Sequence, residues 1–145
     1  EYNAWDNSII KNSDSYAVIC GNSSSGAIGG IIGNNCYCTV TSCSSYGTID
    51  ASALGVGMYR CLGGCFGICR KNVRITDTHF YGNIIFGPDG KGINYGAFIG
   101  LLQTANLETK NCTYNQTGVN GLEPIGSKED SFTETELGEQ DIKGI

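Results

Sequence analysis

Gly29-Gly30-Ile31-Ile32-Gly33 returns as Gly63-Gly64-Cys65-Phe66-Gly67 and again as Gly96-Ala97-Phe98-Ile99-Gly100. The closing glycines, Gly33, Gly67 and Gly100, are almost evenly spaced. A second block follows each one. Ser42-Cys43-Ser44-Ser45-Tyr46-Gly47-Thr48-Ile49 matches Asp77-Thr78-His79-Phe80-Tyr81-Gly82-Asn83-Ile84. With one inserted residue, both match Asn111-Cys112-Thr113-Tyr114-Asn115-Gln116-Thr117-Gly118-Val119. The aliphatic residues closing these blocks, Ile49, Ile84 and Val119, are evenly spaced. Two linked blocks recurring three times in register define a repeat, and a repeat of this length means a solenoid or an array.

The surrounding composition chooses between helices and strands. Glycine costs about 1 kcal/mol per helical site relative to alanine, and the chain carries 22 glycines in 145 residues. Gly, Asn, Ser and Thr together are as abundant as the whole hydrophobic class, at 40%, while only 16% of residues are charged and only two are proline. Isoleucine, valine, threonine and tyrosine between glycines spell short strands and tight turns. The expected fold is all-β: a short β-solenoid of about three repeats of about 34 residues, its coils stacked at ~4.8 Å. Glycine is expected to supply positive-φ corners and to let strand backbones approach closely. Tyr46, Tyr81 and Tyr114 are expected to form one ladder, and Ile49, Ile84 and Val119 another.

Gly-Gly-apolar-apolar-Gly, a polar loop, then the Asn-Cys-Tyr-like block and Gly-x-Val/Ile resemble the GLUG motif over about residues 26–119. This chain departs from the motif in its cysteines and in an uneven loop at 50–60. The resemblance implies a β-solenoid surface protein, structural or adhesive, and brings no catalytic residue with it. Residues 1–25 lack the motif and are expected to form an N-terminal cap or half-coil, with Tyr16–Cys20 as a strand. Residues 26–120 then hold the repeats, and 121–145 form a C-terminal extension.

Charge marks that last boundary. Residues 1–120 carry seven acids and seven bases. Residues 121–145 carry seven acids against Lys128 and Lys143, so the whole net charge of −5 sits in the tail. Pro124 and Gly126 punctuate its start. Within it, Ser131-Phe132-Thr133-Glu134-Thr135-Glu136-Leu137 alternates like a strand that would add to a neighbouring subunit. A pI near 4.7 without a basic run makes nucleic acid a poor partner. No apolar run approaches the ~20 residues of a membrane-spanning helix. The N-terminal residues Glu1 to Asp6 have neither a basic nor an apolar leader region, so any signal peptide is expected to be already removed, or the chain to be part of something longer.

Eight cysteines in 15.4 kDa fit a disulfide framework in an oxidising compartment. The candidates are Cys20, Cys36, Cys38, Cys43, Cys61, Cys65, Cys69 and Cys112, and the repeat register favours a Cys36–Cys69 bridge between adjacent coils. Cys61, Cys65 and Cys69 form a C-x3-C-x3-C series, which lacks the spacing of structural zinc sites, and no metal or cofactor is expected. Asn22, Asn111 and Asn115 open glycosylation sequons. Asp77 and His79 are the one carboxylate and imidazole close in sequence, a base–orienter pair if they share a strand face. The aligned blocks have no such pair, and an enzyme is not expected. Gly87-Pro88-Asp89-Gly90 reads as a turn between coils. Trp5 is expected to anchor a core or an interface.

These features converge on an extracellular protein: a disulfide-stapled, glycosylated structural subunit of a fibre, appendage or coat. Head-to-tail contacts between solenoid ends, aided by the acidic extension, are its expected mode of self-association. A cell-surface adhesin that recognises glycans is the alternative. A polysaccharide-cleaving enzyme, which needs paired acids along a groove, ranks third.

Overall fold

A computed structural model describes residues 8–21, 26–54 and 60–145. The chain is a parallel β-solenoid of about four turns. The first coil contains β1 (Ser8–Lys11), β2 (Asp14–Ser15) and β3 (Ile19–Cys20). The second has β4 (Gly26–Gly29), β5 (Ile32–Ser45) and β6 (Thr48–Ala51), and the third β7 (Arg60–Gly63), β8 (Phe66–Phe80) and β9 (Asn83–Phe86). The fourth holds β10 (Asn94–Gly96), β11 (Ile99–Gln103), β12 (Leu107–Lys110) and β13 (Cys112–Tyr114). Then come β14 (Ile125–Lys128), the helical turn α1 (Glu134–Leu137) and β15 (Ile142–Gly144). Every pair between these strands is parallel.

The glycine-anchored blocks stack as their spacing requires. Gly29 lies over Gly63 and Gly63 over Gly96, while Ile32, Phe66, Ile99 and Ile125 form one column. The glycines of these blocks serve close approach. A Cβ on Gly29 would lie 2.6 Å from the Cys65 carbonyl oxygen, and one on Gly63 would lie 2.7 Å from the Gly100 nitrogen, both backbone atoms of the next coil. The expectation that glycines make the left-handed corners holds at Gly90, Gly121 and Gly138, with φ of 81°, 76° and 74°, but is corrected at the corners that recur from coil to coil. Asn12, Ser42, Asp77 and Asn111 form one column of positive-φ residues, with φ from 47° to 53°, and Tyr37 and Lys71 turn another corner. Asn and Asp tolerate this conformation because their short polar side chains bond locally.

The inward side chains form one continuous core, with Phe66, Phe80, Phe98, Leu62, Ile75, Ile99 and Leu102 fully buried. Phe66 and Phe98 meet edge to face at 5.6 Å. Ile19, Ile49 and Ile84 stack as an aliphatic ladder, and Val119 is buried near its end. The tyrosine ladder is shifted from the expected one: Tyr16, Tyr46 and Tyr81 stack at 4.8 and 5.1 Å, whereas Tyr114 lies in register with Phe80 and is buried. The residue inserted in the third repeat follows Tyr114, so the alignment at the tyrosine slips by one. The turn at Gly87–Gly90 forms, closed by the Gly90 amide donating to the Gly87 carbonyl at 3.0 Å.

Both ends differ from the expected plan. Residues 8–20 form a coil that pairs in register with Cys38–Asp50, which raises the count from three repeats to about four turns. The acidic segment returns to its own body: β14 pairs with β11 and β15 with β13. The strand expected over 131–137 is instead a helical turn. Thr133 accepts from the Glu136 amide, and the Glu136 carboxylate accepts from the Thr133 amide, a capping box that outweighs the alternating pattern. The Asn22 sequon and Trp5 lie outside the described residues.

Candidate functional site

The eight cysteines are free thiols, so the disulfide staples are not formed. Strand alternation shows why the Cys36–Cys69 bridge fails. Cys36 pairs with Arg70, and Cys69 with Asn35, so Cys36 faces solvent while Cys69 faces the core. Cys38, Cys43, Cys61, Cys65, Cys69 and Cys112 are all buried and pack as small apolar groups. Cys43 and Cys112 occupy one inward column, but Thr78 lies between them. Burial holds the Cys65 thiol well above its ordinary value and pushes Cys112 up to about 11. Thiols held neutral in this way are poor nucleophiles and poor metal ligands. Among the described residues, no group of three or more His, Cys, Asp or Glu side chains converges on a metal position.

Asp77 and His79 have separate partners. Asp77 sits at its left-handed corner and accepts from the Asn111 side-chain amide at 2.6 Å. His79 Nδ1 lies 2.8 Å from the Thr113 hydroxyl, and its ring stacks on Tyr81 at 5.5 Å. Both side chains therefore serve inter-coil ladders. The two described sequons differ in the same terms. Both side-chain amides are engaged: Asn111 is exposed but donates to Asp77, whereas Asn115 is partly buried and donates to the Gly82 carbonyl of the preceding coil at 3.2 Å. A polar groove on the outer corner is lined by Tyr37, Arg70, Lys71, Asn72, Gln103 and Glu129, with Gln103 donating to Glu129.

Tyr46 is stacked between Tyr16 and Tyr81, and Tyr81 stacks on Tyr46 and, at 5.5 Å, on the His79 ring. Tyr16, 71% exposed, has Tyr46 as its one ring neighbour among the described residues and is the most exposed of the three. Ile9 and Val18 on the same coil are 63% and 69% exposed. Among the described residues, no strand pairs with the outer edge of this coil. Sequence reasoning pointed at the solenoid ends in general, but residues 8–20 carry no repeat glycine to mark them as a full coil.

The opposite end is closed. Leu137 of α1 is buried against the core, and the Gln140 amide donates to the Leu107 carbonyl at 3.1 Å. The Thr109 hydroxyl donates to Gln140 and accepts from the Asp141 amide. The Asp141 carboxylate in turn accepts from the Asn111 amide at 2.7 Å, a bond that holds its pKa below the usual carboxylate value. A helical turn thus takes the place of a strand over β12 and blunts its edge. No known protein family, curated protein or solved structure matches the chain.

Proposed function

We propose that the chain is a structural module of an extracellular or cell-surface assembly, and that it associates through the open end of its solenoid. The asymmetry of the two ends carries this reading. One end presents a strand edge with Ile9, Tyr16 and Val18 exposed, and the other is covered by its own tail. Exposed edges of this kind template pairing with another chain. The resemblance of the repeat to the GLUG motif and the exposed Asn111 sequon favour the extracellular setting; the free thiols lend it no support. Glycan recognition by stacking is the weaker reading, because neighbouring rings already cover the faces of Tyr46 and Tyr81. Assembly through insertion of the tail into a neighbour is not part of the proposal, since β14 and β15 pair within the chain.

Sedimentation and negative-stain microscopy of the purified chain test the reading. Particles containing two or more chains, in concentration-dependent equilibrium, are expected. Isolated particles of single-chain mass at every concentration would defeat it.

A further inference from the structure

We infer that the open N-terminal end pairs with the same end of a second copy across a two-fold axis, closing a dimer whose acidic ends point outward. The inference rests on the structural reading above and adds the symmetry and the contacts. Ser13 and Ser15 carbonyls accept from the Ser44 and Tyr46 amides of the second coil. In extended backbone the intervening residue points the other way, so the Asp14 amide and carbonyl face the open end. That edge is ready for another strand.

The end coil is self-complementary about its own bend. Asn12, with φ 51°, divides it into the legs Ser8–Lys11 and Asp14–Ser15. Register and burial place Ile9, Lys11, Asp14 and Tyr16 on the outer side, and Ile10 and Ser15 on the inner side. A two-fold axis in the plane of the coil, through this bend, lays each leg antiparallel on the other leg of the second copy. Lys11 then meets Asp14 of the second copy, Ile9 meets Tyr16, and Ile10 meets Ser15, outward with outward and inward with inward. Each contact occurs twice, as an isologous interface requires. Neither Lys11 nor Asp14 has an ion pair within the described residues.

Charge disfavours pairing through the two acidic ends. Residues 8–20 carry one base and one acid and are neutral, whereas residues 121–145 hold the net −5. Two tails brought together repel. A head-to-tail contact meets an edge broken between β14 and β15 by α1, which covers β12 in place of a strand.

Charge exchange tests this pairing. Sedimentation equilibrium would compare the full chain with K11E, D14K, the double variant, and an equimolar mixture of the two single variants, with circular dichroism confirming each fold. The unmodified chain should dimerise and grow no further. Each single variant sets like charges opposite one another twice and should weaken dimerisation at least about tenfold. The mixture and the double variant restore opposite charges and should recover the dimer. Species that grow beyond two chains, or single variants that dimerise normally, overturn the two-fold arrangement and leave the structural reading standing. A chain that stays monomeric overturns both.

Discussion

Replacing Gly63 by alanine tests the stacking of the glycine column directly. The added Cβ would lie 2.0 Å from the Phe66 carbonyl oxygen, 2.7 Å from the Gly100 nitrogen and 2.8 Å from the Phe98 carbonyl oxygen. Ordinary contact begins at 3.4 Å, so the neighbouring coil must retreat by 0.6–0.7 Å, and the Phe66 carbonyl by more. The hydrogen bonds at stake start at 3.0 Å for Cys65 N to Phe98 O and 2.9 Å for Phe66 N to Phe98 O. Stretched by that amount they are effectively lost, at ~0.5–1.5 kcal/mol each. The buried contact between Phe66 and Phe98 is disturbed as well, contributing ~0.5–1.5 kcal/mol. The expected loss is about 1.5–4.5 kcal/mol, a substantial part of a typical total of ~5–15 kcal/mol. Gly90 is the control: its φ is +81° and a Cβ there meets nothing within 4 Å, so its alanine variant should lose only ~1–2 kcal/mol of backbone strain. Urea denaturation followed by circular dichroism reads both. A G63A midpoint equal to or above that of G90A would refute the claim that close backbone approach, rather than turn conformation, fixes these glycines.

Particular contacts set three further outcomes. Asn35 is 1% exposed, and neither its Nδ2 nor its Oδ1 has a hydrogen-bonding partner, so N35L should raise stability by about 1–3 kcal/mol in the same urea assay; a loss would show that the amide is satisfied. Cys112 titrates near 11 in the folded chain against 9.0 for an ordinary thiol, so the unfolded chain releases this proton first. Stability should therefore be flat below about pH 9 and fall above it, by about 1.4 kcal/mol per pH unit for each such thiol until its folded value is reached. Denaturation midpoints that rise across that window would contradict the burial of these thiols. Deleting residues 121–145 uncovers the edges of β11, β12 and β13, and light scattering should report aggregation instead of a folded monomer.

The repeat was legible because equivalent residues in successive coils meet the same neighbours. The Gly-Gly-apolar-apolar-Gly block therefore carries in its spacing the stacking of Ile32, Phe66 and Ile99. The open end was legible only in outline. Residues 8–20 bury few side chains, so no glycine or large apolar residue had to recur there, and the coil kept strand register without the motif.

By itself, the sequence determined a β-solenoid whose coils recur from Gly33 to Gly67 to Gly100, and a neutral body joined to an acidic segment, because composition and spacing constrain backbone conformation locally. Tertiary structure decided which way each side chain faces and what covers each end. Cysteine spacing is silent about whether Cys36 and Cys69 share a face, since one residue of register moves a side chain from core to solvent. The alternation in 131–137 is equally silent about its partner: the capping box at Thr133 and the uncovered edge of β12 turned it into a helical cap. Coils in the middle of a solenoid are specified by their repeats, and the end coils by the backbone groups left to satisfy.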